Sequence, residues 1–181
     1  MKISNRVLAL VLCIMMLMLT VGCGQEDRAS LLPFGLEFGD TYEEVQRAND
    51  IGDLKDSNAN DGYVSKLKYF SKEDEVIEIL GTCEGVSDVA VGLAFNAEKR
   101  LYEFYCLFKA ENNKVLEIND TIKQKYNKVA GEAEEETDGI ALWINEEYSI
   151  DYRCTDPIKA FAGEDATYMI SIHSFELDFE R

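Results

Sequence analysis

Basic residues are scarce in this chain: 18 Lys and Arg stand against 35 Asp and Glu, a formal net charge of −17. Nucleic acids and anionic lipid surfaces are recognised by clusters of Lys and Arg, so this charge balance makes nucleic acid a poor partner. Proline occurs only at Pro33 and Pro157, and no proline-rich or Ser/Gly-rich stretch divides the sequence, so nothing marks a linker between two folded units. Histidine occurs once, as His173. A catalytic triad or a histidine-rich metal site would have to be built around that single ring. A glycine-rich phosphate loop, a dinucleotide fingerprint and a Cys-x-x-Cys element are all missing, so no cofactor is called for.

What is present begins with a leader. Lys2 and Arg6 precede an apolar run over residues 7–21, and the small Gly22 stands before Cys23. A run of this length is short of the roughly 20 residues that a membrane-crossing helix needs, and a charged start, an apolar middle and a small residue before the cut are the parts of a signal peptide. Leu19-Thr20-Val21-Gly22-Cys23 resembles a bacterial lipobox, with Thr20 where that pattern usually has Leu. The resemblance implies that Cys23 takes a diacylglyceryl group and becomes the first residue of a lipoprotein. The alternatives are an ordinary secretory leader and an uncleaved anchor helix; all three place the folded part outside the cytoplasm. Removal of Lys2 and Arg6 leaves 16 basic against 35 acidic residues, a net charge near −19.

The expected division is a signal peptide over residues 1–22, a lipid anchor and tether over 23–33, and one domain over 34–181. Three cysteines remain in the domain, Cys83, Cys106 and Cys154, at spacings that match no metal-ligand pattern. Cys106 alternates with Tyr102, Phe104 and Phe108, as a small buried apolar residue would.

Periodicity gives the coarse organisation. Asp40 and Glu43 are spaced as a capping box ahead of a short helix with Tyr42, Val45 and Ala48 on one face. A polar loop follows, then alternation from Tyr63 to Tyr69 and an apolar run over residues 76–80, both expected as strands. Residues 88–95 and 101–108 form a hairpin about the loop 96–100. Val115, Ile118, Ile122, Tyr126 and Val129 recur at three- and four-residue steps, a helix that Gly131 stops. After the acidic loop around Glu134, Glu135 and Glu136 come strands over 140–144, 148–154 and 167–175. The expected fold is α+β: an antiparallel sheet with two helices packed on one face, in a pattern that also suggests a degenerate duplication of a helix-plus-strands unit.

Candidate chemistry is thin. Oxygen-bearing residues recur through Asp56-Ser57-Asn58-Ala59-Asn60-Asp61-Gly62, but a calcium loop of the EF-hand type needs Gly at its sixth position and Glu at its twelfth, and here those are Asp61 and Leu67. A solvated turn is the simpler reading, as it is for the cluster Glu132, Glu134, Glu135, Glu136 and Asp138. His173 alternates with Met169, Ser171 and Phe175, as a structural histidine on a sheet surface does; Ser171 or Ser174 beside it would be needed for hydrolysis. Trp143, followed by Tyr148 and Tyr152, offers an aromatic contact surface for a peptide or glycan, although core packing is the more frequent fate of such residues on a strand.

The order of elements, with Phe34-Gly35-Leu36-Glu37-Phe38-Gly39-Asp40 leading into Tyr42-Glu43-Glu44-Val45, resembles small envelope lipoproteins of the outer-membrane-assembly type. It is also similar to the beta-lactamase-inhibitor-protein fold and to uncharacterised lipoproteins of Gram-positive bacteria. The resemblance implies an α+β fold and non-catalytic binding to another protein. The expectation is therefore a module held on the extracytoplasmic face of the cell membrane through Cys23. It binds an envelope protein or peptide, with Trp143 and Tyr148 as contact candidates and no catalytic or metal-binding residues. A cell-wall hydrolase and a small-ligand or calcium-binding lipoprotein are the rival expectations.

Overall fold

The strongest alternation in the chain, Tyr102 to Phe108, builds the middle of the fold. The computed structural model describes residues 30–56, 62–66, 72–137 and 140–178. Within them β1 (Lys55–Asp56), β2 (Tyr63–Lys66), β3 (Val86–Phe95), β4 (Leu101–Ala110), β5 (Glu135–Thr137), β6 (Ile140–Ile144), β7 (Tyr148–Cys154) and β8 (Ala166–Ser174) form one sheet. Its strand order is β1-β2-β3-β4-β8-β7-β6-β5, and every neighbouring pair is antiparallel. The expected α+β class holds. The leader, Cys23, residues 57–61 of the proposed calcium loop, residues 67–69 of the expected first strand, and Asp138 lie outside the described residues.

Side chains alternate across the pleat, and burial follows them. In β4, Phe104, Cys106, Phe108 and Ala110 are buried, whereas Glu103, Tyr105, Leu107 and Lys109 between them are not. In β8, Tyr168, Ile170 and Ile172 share the core with Phe104 and Phe108. Phe108, Tyr152 and Tyr168 stack on one another at 5.8 to 6.5 Å between ring centres. The long helix α3 (Val115–Ala130) buries Ile118, Ile122 and Tyr126 in the same cluster. Its polar groups inside are matched: the Tyr126 hydroxyl donates to the Ile79 carbonyl, and the Tyr152 hydroxyl to Asn119 Oδ1. Such pairing removes the cost that an unmatched buried hydroxyl carries.

Three local readings are corrected. Residues 76–80 are not a strand but the end of helix α2 (Glu73–Leu80), which buries Ile79 and Leu80 and ends at Gly81 with φ 80°. Three acids in its first turn and a left-handed glycine after its last residue are helix signals that outweigh a short apolar run. The cap of helix α1 (Tyr42–Ala48) is Thr41 rather than Asp40. Thr41 Oγ1 accepts from Glu44 N at 3.3 Å, and Glu44 Oε2 accepts from Thr41 N at 2.9 Å. Asp40 instead accepts from Glu37 N at 2.8 Å. The acidic loop contributes Glu135–Thr137 as an edge strand, and the β7–β8 connection contains a short helix, α4 (Pro157–Phe161). A last helical turn, α5 (Phe175–Asp178), follows β8 directly.

Candidate binding surfaces

Trp143 occupies the interior. It is 1% exposed and its Nε1 donates to Asn127 Oδ1 at 2.7 Å, while its ring packs 5.7 Å from Tyr126. Sequence reasoning offered it as a contact residue; the strand register turns it inward with Ala141, so it presents no surface to a partner. Tyr148 is half-buried and lines a cleft, separate from Trp143.

The other side of the alternation is partly accessible. Glu103, Tyr105, Leu107 and Lys109 of β4 stand opposite His173, Ser171, Met169 and Thr167 of β8. Asp151 and Arg153 of β7 continue the rows toward Leu142 and Ile140 of β6. On β3 the corresponding residues are Ala90, Gly92 and Ala94. Gly92 has a specific reason to be glycine: a Cβ built there would lie 2.0 Å from Cζ of Tyr105, so the phenol ring lies flat across its backbone. That burial, with the Glu103 charge next to it, holds the Tyr105 phenol above its ordinary pKa.

Polar groups on this face are tied to one another. Ser171 Oγ donates to Glu103 Oε1 at 2.7 Å, Lys109 pairs with Asp88 at 2.6 Å, and Arg153 pairs with Asp151 at 3.4 Å. A register shift between Ser87 and Ala90 sets Asp88 at φ 50° and brings it to Lys109. A second shift at Phe95 leaves Tyr102 as the extra residue of β4, and its ring meets His173 edge-on at 5.5 Å. His173 in turn lies 5.9 Å from Phe175. These bulges re-aim particular side chains, and neither had a signal in the sequence pattern.

Neither Ser171 nor Ser174 pairs with His173. Ser174 follows His173 on one strand and therefore points to the opposite side, and the Ser171 proton is given to Glu103. Among the described residues no group of three or more His, Cys, Asp or Glu is placed to hold a metal ion. Cys106 is fully buried, and desolvation pushes its thiol up to about 12. Cys83 and Cys154 are half-buried and free.

No family model, curated protein or solved structure matches this chain. Its function must be argued from its own surfaces. Among the described residues no helix is long and apolar enough to cross a membrane.

The cleft that holds Tyr148 has a volume of about 1040 Å³. It lies where the end of α3, the β6–β7 turn and the start of α5 meet the segment at Ser30 and Leu31. Asn145 shapes the turn by accepting from Glu147 N and Tyr148 N, each at 2.8 Å. Phe175 N donates to the Glu147 carbonyl at 2.9 Å, which brings Glu147 and Glu176 to the same rim.

Proposed function

We propose that this chain is a lipoprotein of the cell envelope, anchored through Cys23 on the extracytoplasmic face of the membrane, whose domain binds another protein or a peptide without catalysis. The observation that carries the reading is the accessible face centred on Tyr105, Leu107, Met169 and Leu142, with ion-paired Lys109 and Asp88 on one side and Arg153 and Asp151 on another. An apolar middle with polar surroundings is the make-up of a protein contact surface. Lys109 and Arg153 keep their carboxylate partners when that surface is covered, and Glu103 keeps its hydrogen bond from Ser171. The fitting partner is a folded protein or extended peptide with its own apolar patch. Nucleic acid does not fit a chain of this charge.

Two further parts of the reading rest on the topology. The core cluster joins Val45 of α1, Ile79 and Leu80 of α2 and Ile118 and Ile122 of α3 to one set of alternate strand residues, which supports helices gathered on one face. The order β1-β2-β3-β4 followed by β8-β7-β6-β5 sets two four-stranded sections end to end, each led by a helix, as an old duplication would.

The anchor is tested by fractionating cells that carry Cys23→Ala. The variant leaves the membrane fraction if Cys23 bears the lipid; if it stays there, an uncleaved leader helix holds it instead. The binding role is tested by placing a photo-crosslinking residue at position 105 or 169 in cells. One discrete adduct, absent when the same group is placed at position 161 on α4, supports a partner on this face. Equal labelling at all three positions rejects it.

A further inference from the structure

The cleft carries an inference that rests on the binding reading above and adds a ligand class to it. Its apolar wall is made by Leu31, Phe38, Tyr148 and Leu177. Ser174, the cross-strand partner of Tyr148, is 5% exposed, and among the described residues its hydroxyl has no hydrogen-bond partner. Its hydroxyl opens onto the cleft; among the described residues the buried side-chain polar atom left without a partner is Asn49 Nδ2, not this one.

Charge at the rim has one dominant sign. Glu147 and Glu176 are exposed and, among the described residues, neither has an ion pair or a side-chain hydrogen bond. The last turn of α3 also ends here, and the carbonyl end of a 16-residue helix adds a partial negative charge. Lys128, in that last turn, is the single cation of the lining and opposes only part of this. A neutral or acidic ligand would leave both carboxylates unmatched; a cation beside an apolar group matches both wall and rim.

We infer that this cleft binds a peptide segment that sets a Lys or Arg beside a large apolar side chain, with the apolar group against Phe38 and Tyr148, the cation at Glu147 and Glu176, and a polar backbone group at Ser174. Its volume is at the upper end of what small-ligand sites enclose, enough for a few residues of extended chain.

The test titrates the full chain, in detergent micelles, with three blocked pentapeptides, Ala-Leu-Arg-Leu-Ala, Ala-Leu-Glu-Leu-Ala and Ala-Gly-Arg-Gly-Ala, and reads backbone amide shifts by NMR. The first peptide is expected to move the amides of residues 128–130, 147–148 and 174–177, and the other two to bind about tenfold more weakly or less. Glu147→Gln with Glu176→Gln weakens the first peptide about tenfold, while Lys128→Gln, which removes a like charge, tightens it. Equal affinity for the Arg and Glu peptides, or shifts confined to other residues, overturns the inference. Crosslinking separates the two claims: a lost cleft signal with position-dependent crosslinking at position 105 intact removes the cleft alone.

Discussion

At the scale of single residues, the account turns on which side of a strand a side chain occupies. Trp143 is the only tryptophan, so its fluorescence reports the core directly. Trp143→Ala is expected to lower unfolding free energy by about 3–5 kcal/mol in a denaturant titration, the cost of emptying a large buried aromatic site. Phe161, 95% exposed on α4, is the contrasting case: Phe161→Ser should leave the denaturation midpoint within about 0.5 kcal/mol of the parent. Gly92→Ala must displace the Tyr105 ring and should cost about 1–3 kcal/mol. Pairing it with Tyr105→Ala should recover much of that loss, which a double-mutant cycle measures; full additivity would mean that the ring does not lie over Gly92.

Residue-level legibility was uneven for a physical reason. Cys106 was readable as buried because it alternates with three large aromatics. Trp143 was readable as core, the more frequent fate, or as contact, since alternation states that neighbours face apart and not which of the two faces is covered. Ser174 stood out in the sequence only as a candidate beside His173, not as part of a cleft. Its part in the cleft depends on α5, which follows it directly, and on the β6–β7 turn, which comes from elsewhere in the chain.

At the scale of elements, the long and strongly periodic pieces were legible and the short ones were not. The β3–β4 hairpin and α3 are where the alternation and the three-to-four step put them. Helix α2 was misread because five consecutive apolar or acidic residues fit a strand as well as a helix, until Gly81 is taken as a helix stop. The edge strands β1 and β5 are two and three residues long, too short for any period to show. Short edges also offer little backbone for another chain to pair with. The Thr41 cap can be weighed by experiment. Glu44 accepts the Thr41 backbone and hydroxyl protons, which holds its carboxyl below the usual range. Thr41→Ala should cost about 1 kcal/mol at neutral pH. Since a depressed carboxyl pKa stabilises the fold above the unfolded value and is lost on acidification, that cost should shrink as pH falls through the carboxylate range.

At the scale of the whole molecule, the buried acids of weak strength set the alkaline limit. Desolvation pushes Cys106 up to about 12 and Tyr168 up to about 12, and raises Tyr126 and Tyr152 further. These groups keep their protons in the fold and lose them at ordinary values when unfolded, so stability is present below the unfolded pKa and falls as pH rises toward 12. Thermal unfolding should therefore show little change up to about pH 9 and a steep fall above it. The acidity of the molecule is legible in its composition alone, a formal net charge of −17. The surfaces themselves were not legible, because each is assembled from strands far apart in the chain.

The most direct test of the binding module is the position dependence of crosslinking in the intact envelope. Photo-reactive groups at positions 105, 107 and 169 report the accessible sheet face, and groups at 123 and 161 serve as comparison sites away from it. The account predicts one protein adduct of constant mass from the first three positions, lost when Arg153 and Lys109 are both changed to Glu, and none from the last two. Adducts spread evenly over all five positions, or absent from the sheet positions, would contradict it.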